Sequence, residues 1–271
     1  MNKDERFLAQ MASVASVIMR RRFVPGGVAF QMKSDQTPVT KADLEIGTKV
    51  EEMVRDAYPD AVLIREEKDF PNRKGYGIEF IVDELDGTDG FSRDIPLAVF
   101  AAARLFDCVV QDAIIHAPLA FGVARSYTAA SHRGVALLNG KPIHVVSDRR
   151  ERLRIGIATS AHKAERYHAF RIAQALADLG HIMNSVTSIS HSCAMVAAGH
   201  LDGVLFPWDT LHDTAPGDLL VREAGGVTSD LNGNKLTYAG NSVEGFIMAN
   251  SLATHGLLLD LAQQHRREPE K

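Results

Sequence analysis

Apolar residues recur at helical spacing in two stretches near the start of the chain. Residues 7–18 place Phe, Met, Val, Ala and Ile every three or four positions, and three arginines follow at 20–22. Because cations are favourable at the C-terminal end of a helix dipole, this stretch predicts a helix that ends near the arginines. Residues 44–54 repeat the pattern and predict a second helix. The polar segment 40–43 before it fits a helix cap or a functional site equally well.

Two short apolar runs follow, and each ends in acidic residues. Residues 61–64 and 79–82 predict strands. The first strand leads into Glu66 and Glu67, and the second leads into Asp83. If the two strands are neighbours in one sheet, their carboxylates lie close together, because site residues gather at strand ends.

Alternating polar and apolar residues begin near residue 95, with short polar breaks between the runs. This pattern is typical of an antiparallel meander. Its strands are predicted at 96–105, 109–115, 121–127 and 131–138.

The C-terminal half alternates strands with helices, which predicts mixed strand pairing. A charge-rich segment at 147–154 separates the two patterns, so we expect an α+β lobe at 1–148 and an α/β lobe at 149–271. A helix is predicted to begin at Asp213 and to end at Gly225 and Gly226. The remaining strands are predicted at 155–159 and 201–206, the remaining helices at 165–179, 192–199 and 253–263, and a frayed tail at 266–271.

Composition places the chain among ordinary globular proteins. It has 271 residues, 45% of them hydrophobic and 24% charged, with a formal net charge of −4. Because it contains no Lys/Arg block, charge patterning argues against nucleic acid and anionic membranes as partners. The N-terminal segment lacks a continuous apolar core, which argues against a signal peptide or a membrane span. Cys108 and Cys193 lie among apolar residues and are expected to be buried free thiols, so we expect a cytoplasmic protein.

An acidic segment at 81–91 carries the strongest chemical signal. It joins an apolar run to Asp83, Glu84 and Asp86, and Gly87 and Thr88 follow directly. Crowded carboxylates repel one another, so a cation is the expected reason to gather them. Backbone N–H groups at the turn would suit an anion such as phosphate. An acidic turn exposed to water is the alternative.

The motif Asp83-x-Leu85-Asp86-Gly87-Thr88 resembles that of the inositol monophosphatase family. Glu66-Glu67 precedes it, and Asp213 and the segment Glu223-Ala224-Gly225-Gly226 follow downstream. The family consists of magnesium-dependent, lithium-sensitive phosphomonoesterases. The resemblance implies a layered αβαβα sandwich with a large antiparallel sheet and a smaller mixed sheet. It also implies a homodimer with the site between the two lobes.

The resemblance also implies a set of metal ligands. Glu66, Asp83 and the backbone carbonyl of Leu85 resemble the ligands of a first magnesium ion, and Asp83, Asp86 and Asp213 those of a second. A third, weaker ion would be held mainly by Glu66. These oxygen donors are the type that magnesium prefers.

The same resemblance implies catalytic and substrate-binding residues. Thr88 resembles the residue that, with Glu66, orients the attacking water, and Asp43 resembles the carboxylate that pairs with this threonine. Amides around Gly87 and Thr88 would hold the phosphate, beside Asp213.

Several positions depart from the family pattern. Glu84 replaces the usual proline and is expected to face solvent, and His212 replaces the usual tryptophan before Asp213. The ten residues from Asp213 to Glu223 favour Asp213 over Asp209 as the ligand.

The substrate wall also departs from the pattern. Phe206 stands where inositol-specific members carry a glutamate that contacts the ring, so that hydrogen bond would be absent, and Phe206 is expected to contact the substrate instead. For a nucleotide substrate, Phe206 or Trp208 would supply the aromatic surface that the base needs. Ser190 and His191 are expected to line the pocket, although a water-facing His191 at a helix start is equally compatible with the sequence.

The function predicted from these observations is a magnesium-dependent phosphomonoesterase that uses a metal-activated water. Its substrate is a small phosphorylated metabolite, with inositol monophosphate as the family default. Alternatives on the same scaffold are 3'(2'),5'-bisphosphate nucleotidase, histidinol-phosphatase and fructose-1,6-bisphosphatase activity. A metal-dependent binding protein without catalysis is the alternative from another class.

Overall fold

The computed structural model describes residues 1–34, 36–68, 71, 73, 75–146, 151–157, 169–185, 188–209 and 211–266, with the backbone alone for Phe121 and Asp209. Seven α-helices lie within these residues. They are α1 (Lys3–Arg22), α2 (Lys41–Ala57), α3 (Thr88–Ser92), α4 (Ala169–Asp178), α5 (Ile189–Ala197), α6 (Leu211–Glu223) and α7 (Leu252–Gln264).

The strands of the described chain form three sheets. A small hairpin contains β1 (Phe30–Met32) and β2 (Pro38–Thr40). The large sheet contains β3 (Val62–Arg65), β4 (Ile78–Asp86), β5 (Val99–Phe106), β6 (Val109–Ala117), β7 (Arg125–Ala130), β8 (Ala136–Leu138) and β9 (Lys141–Ile143). The smaller sheet contains β10 (Arg154–Ile157), β11 (Ile182–Ser185), β12 (Gly203–Asp209), β13 (Val227–Ser229) and β14 (Glu244–Ala249).

The large sheet has seven strands in sequence order from β3 to β9. Its strands pair antiparallel except β3 and β4, which are parallel. The predicted meander is therefore confirmed. The two strands that end in acidic residues, β3 and β4, are neighbours, so the condition for bringing their carboxylates together is met. Two of its strands were placed wrongly, because residues 120–122 form a 3-10 turn before β7 and residues 131–134 form the turn after it.

The smaller sheet has the order β11-β10-β12-β14-β13 and mixes parallel with antiparallel pairs. This confirms the mixed pairing predicted for the C-terminal half. The predicted helix at 192–199 begins earlier, at Ile189, because Ser188 caps it through a hydrogen bond from the N–H of His191. Parts of three predictions lie outside the described residues: 158–159 of a strand, 165–168 of a helix and 267–271 of the tail.

Three apolar clusters separate the layers. One packs α1 and α2 against the outer face of the large sheet, and another packs α4 and α7 against the smaller sheet. The largest lies between the two sheets around α5 and α6. The order of layers is the predicted αβαβα sandwich. Division into lobes near residue 148 stays a prediction.

The cysteines and the helices add two observations. Cys193 is buried as expected, whereas Cys108 is partly exposed because it lies in the tight turn between β5 and β6.

Among the described helices, none combines the length and apolarity that crossing a membrane requires.

Gly217 allows α5 and α6 to cross closely between the sheets. A Cβ at this position would lie 2.6 Å from Cys193 Cβ and 2.9 Å from its Sγ. The same two helices carry Ser190 and Asp213 in their first turns.

We predict that Gly217→Ala lowers the free energy of unfolding by about 1–3 kcal/mol, because overpacking forces the two helices apart. Urea unfolding followed by circular dichroism measures the change. Gly256→Ala in α7 is the matched control, since a Cβ added there would meet no atom within 4 Å. We expect that control to be neutral or up to about 1 kcal/mol more stable. Equal destabilisation of both variants would contradict the close-crossing explanation.

Candidate metal and phosphate site

The end of β4 brings two carboxylates together by an irregularity in strand pairing. Asp83 pairs with Ala101 and Asp86 pairs with Val99, so three steps on β4 oppose two on β5. Such a bulge re-aims side chains and lets residues three apart converge. Gly87 then turns the chain into α3 with φ 95°, a value that glycine adopts readily.

Asp213 joins these two residues from the first turn of α6. One carboxylate oxygen from each of Asp83, Asp86 and Asp213 lies within 4.8 Å of the others, and all three residues are buried. The alternative of an acidic turn exposed to water is therefore wrong. The preference for Asp213 over Asp209 is supported by this convergence, while the Asp209 side chain lies outside the described part of the chain.

Burial and mutual repulsion make ionisation of this cluster costly. Burial raises the pKa of Asp86 to about 6, although hydrogen bonds from Ser190 and Ser188 oppose the shift. Burial also raises the pKa of Asp83 and that of Asp213, and the charge of Glu66 adds to both shifts. Three buried carboxylates of this kind are the donor set that a hard divalent cation such as magnesium fits.

The start of α5 holds two of the carboxylates in place. Ser188 Oγ donates to Asp86 Oδ2 at 2.8 Å, and the Ser190 N–H donates to the same oxygen at 2.6 Å. Ser190 Oγ donates to Asp213 Oδ1 at 3.2 Å. Ser190 therefore positions ligands, and its contact with substrate stays a prediction.

The other two substrate-wall residues are both buried. His191 Nδ1 lies 3.2 Å from the carbonyl oxygen of Leu97, so the water-facing alternative is wrong and a role in lining the pocket stays a prediction. Phe206 is fully buried, and its ring stacks on Phe246 and meets Trp208 edge-on. A ring without exposed surface has no face for a substrate. The prediction of a substrate contact at Phe206 is therefore wrong.

Glu66 follows β3 and lies on the same side of the sheet as Asp83. Its N–H donates to the carbonyl of Val82 at 3.2 Å, which continues the pairing of β3 with β4. One ligand atom from each of Glu66, Asp83 and His212 lies within 4.8 Å of the others. Glu66 therefore belongs to a second group that shares Asp83 with the first.

Lys33 approaches this second group from the β1–β2 hairpin. Its Nζ lies 3.0 Å from Glu66 Oε1 and 2.8 Å from Glu67 Oε1. Burial raises the pKa of Glu67 to about 7, and the Glu66 charge adds to the shift. Sequence reasoning missed Lys33 because no local pattern marks a lysine that meets carboxylates more than thirty residues away. For His212, the sequence offered one signal of a site role, its position next to Asp213.

Thr88 links the strand end to α2. Its Oγ1 lies 3.0 Å from Asp43 Oδ1 and 2.8 Å from the carbonyl oxygen of Leu85. Asp43 also accepts a hydrogen bond from the Thr40 N–H at 2.9 Å, while Thr40 caps α2. The two interpretations of segment 40–43 are thus compatible, because Asp43 completes the cap with one oxygen and contacts Thr88 with the other.

Glu84 corrects the expectation that this residue faces solvent. Its side chain is 0% exposed and lies 3.3 Å from Arg65. Burial raises the pKa of Glu84 to about 8, and the charge of Arg65 opposes the shift. Gly47 in α2 makes room for the pair, since a Cβ there would lie 2.7 Å from Glu84 Oε1.

Comparison with known proteins agrees with this geometry. The model of the inositol monophosphatase family matches residues 3–267. A histidinol-phosphatase of Mycobacterium tuberculosis is 30% identical over 96% of both chains. The Nus factor SuhB of Escherichia coli is 28% identical over 85% of this chain and 86% of its own. The crystal structure of the extragenic suppressor protein SuhB from Bartonella henselae shares the fold, with a TM-score of 0.84, 23% identity, and coverage of 96% and 98% of the two chains.

We predict that without divalent ions Asp86→Asn is more stable than the unsubstituted protein at pH 8. Ionised Asp86 opposes folding there, because its folded pKa of about 6 exceeds the ordinary value of 3.8. As the pH falls through 6, Asp86 is protonated in the folded protein before it is protonated in the unfolded chain. The stability advantage of Asp86→Asn therefore shrinks by about 1–2 kcal/mol towards pH 5. Urea unfolding in EDTA at both pH values measures it.

The control for this experiment is Asp60→Asn, at an exposed turn residue. Its difference from the unsubstituted protein should stay nearly constant with pH. If the stability difference for Asp86→Asn is also constant with pH, burial does not raise the pKa of the Asp86 carboxyl.

Proposed function

Since the chain belongs to the inositol monophosphatase family, we propose that it is a phosphomonoesterase that uses two or three Mg²⁺ ions to release phosphate from a small phosphorylated alcohol. The observation that carries the proposal is the convergence of Asp83 and Asp86 with Asp213, which lies far along the chain on another helix. Folding alone gains nothing from three buried, mutually repelling carboxylates.

Each site residue has a defined part in this proposal. Asp83, Asp86 and Asp213 would hold one ion, while Glu66, Asp83 and the Leu85 carbonyl would hold another. When bound, such ions polarise a phosphoryl oxygen, activate water and neutralise developing charge. The chain itself supplies alignment, because its carboxylates are already held by Ser188 and Ser190.

Thr88 and Asp43 would orient the attacking water. Since Thr88 Oγ1 can donate its proton to Asp43 or to the Leu85 carbonyl, its lone pairs can accept a hydrogen from water. Glu66 would accept the other hydrogen and act as the base. Gly87 and Thr88 lie at the N-terminal end of α3. Because the first N–H groups of a helix have no partner inside the helix, those of Gly87 and Thr88 would hold phosphate oxygens.

We predict that Asp86→Asn and Asp213→Asn each lower Mg²⁺-dependent phosphate release by at least ~100-fold, because each removes a charged ligand. Phosphate release from a phosphomonoester under saturating Mg²⁺ measures the loss. Asp89→Asn is the matched control, since Asp89 lies on the same turn but its side chain is 63% exposed and pairs with Arg93. We expect that control to keep near-normal activity.

Two outcomes would contradict the proposal. Full activity in Asp86→Asn and Asp213→Asn would remove these residues from the site. A protein that binds Mg²⁺ and phosphate but hydrolyses no phosphomonoester would be a metal-dependent binding protein instead.

The proposed substrate is L-histidinol phosphate, in preference to the family default of inositol monophosphate. The relative from Mycobacterium tuberculosis, named a histidinol-phosphatase, aligns along 96% of both chains. Phe206 is buried in the core at the position where inositol-specific members carry the ring-contacting glutamate. Both observations weigh against inositol. The buried Phe206 also weakens the nucleotide alternative, which needs an aromatic surface for the base.

We predict that kcat/KM is higher for histidinol phosphate than for inositol 1-phosphate, 3'-phosphoadenosine 5'-phosphate or fructose 1,6-bisphosphate. A side-by-side measurement of phosphate release from all four compounds tests this order. Asp213→Asn, assayed in parallel, reports any contaminating phosphatase. A higher value for inositol 1-phosphate would restore the family default.

The homodimer, the lithium sensitivity, the cytoplasmic location and the two-lobe division belong to the same proposal. They are supported by the family resemblance and by composition. The expected lack of nucleic-acid and membrane partners is supported by the net charge of −4.

A further inference from the structure

His212 lies among the acidic residues that the family resemblance assigns to the first ion. One of its ring nitrogens is within 4.8 Å of a carboxylate oxygen of Glu66 and of one from Asp83. Its Nε2 is 3.9 Å from Asp213 Oδ2, and its side chain is 20% exposed. The ring is therefore at the site and accessible to an ion arriving from solvent.

The start of α6 explains this position. His212 and Asp213 are consecutive residues in the first turn, so one helix end delivers an imidazole to the group with Glu66 and a carboxylate to the group with Asp86, and Asp83 belongs to both groups. The hydrogen bond from Ser190 Oγ to Asp213 Oδ1 joins that end of α6 to the first turn of α5. The imidazole is thus held by the fold and does not depend on a surface loop.

The two groups of candidate ligands consequently differ in their chemistry. Asp83, Asp86 and Asp213 offer carboxylate oxygens, which suit Mg²⁺. Glu66, Asp83 and His212 offer two carboxylates and an imidazole nitrogen. An imidazole nitrogen binds first-row transition-metal ions such as Mn²⁺ more strongly than it binds Mg²⁺, which prefers oxygen ligands.

We propose that His212 supplies a nitrogen ligand to the ion at Glu66 and Asp83, and that this position therefore binds Mn²⁺ in preference to Mg²⁺. The inference rests on the proposed function for the location of the site. Ligation itself is independent of turnover and is measurable in resting protein.

Pulsed electron paramagnetic resonance tests the ligand directly. The full chain, without a histidine tag, is loaded with less than one equivalent of Mn²⁺, and modulation from directly bound ¹⁴N is recorded. We expect this modulation in the unsubstituted protein and in His132→Gln, which removes an exposed histidine. We expect it to be lost in His212→Gln. Labelling with ¹⁵N-histidine shows independently that the bound nitrogen belongs to a histidine, because the modulation must change to that of ¹⁵N, and His212→Gln identifies which histidine it is.

Affinity provides the second measurement. We expect His212→Gln to weaken Mn²⁺ binding roughly tenfold and to change Mg²⁺ binding, measured by competition, less than about twofold. Circular dichroism of the ion-free variant checks that it folds.

Three results would overturn the proposal. They are the absence of histidine modulation in the unsubstituted protein, its persistence in His212→Gln, and equal weakening of Mn²⁺ and Mg²⁺ binding, which would show that His212 supports the site without ligating the ion. If nitrogen ligation is observed but no phosphomonoester is hydrolysed, the proposed function fails and the ligand assignment stands.

Discussion

The site depends on the repulsion among buried carboxylates and on the structures that hold them together despite it. Asp83, Asp86 and Asp213 have ligand atoms within 4.8 Å of one another. The β4–β5 bulge, the cap of α5 and the close crossing of α5 with α6 each constrain one part of this group. A rigid scaffold is what such a site requires, because relaxed carboxylates would separate and lose the geometry that an ion needs.

The layered fold explains why these constraints meet at one place. Side chains on β4 alternate between two cores: Phe80 and Val82 pack towards α1 and α2, whereas Ile81 packs into the cluster around α5 and α6. The side chain of Asp83 lies on the same side of β4 as that of Ile81 and so faces Asp213. The site thus lies at the junction of the large sheet with the central helices. Its ligands come from distant parts of the sequence, and only the packing of these layers brings them together.

Much of this arrangement could be predicted from the chain, and the exceptions have physical causes. The meander and the two strands that end in acidic residues follow from local periodicity. The parallel pairing of these two strands is a long-range contact that local periodicity does not give. The convergence of Asp83 with Asp86 depends on a pairing irregularity between β4 and β5, which no local residue pattern marks. Lys33 was missed because its partners are determined by how a hairpin folds over the site. Long-range contacts of this kind leave no periodic trace.

Glu84 differs from Lys33, because a signal for its position was present. By strand alternation it shares the face of Phe80 and Val82, so a solvent-exposed side chain was already inconsistent with the apolar character of that face. A charge on such a face requires a partner, since an unpaired buried carboxylate is costly. Arg65 pairs with Val82 in the register and therefore lies on the same face, where Gly47 leaves space for both side chains. None of these residues is informative alone. Combined with the strand register, they place Arg65 and Glu84 side by side directly behind the site, on the face of the sheet opposite Glu66 and Asp83.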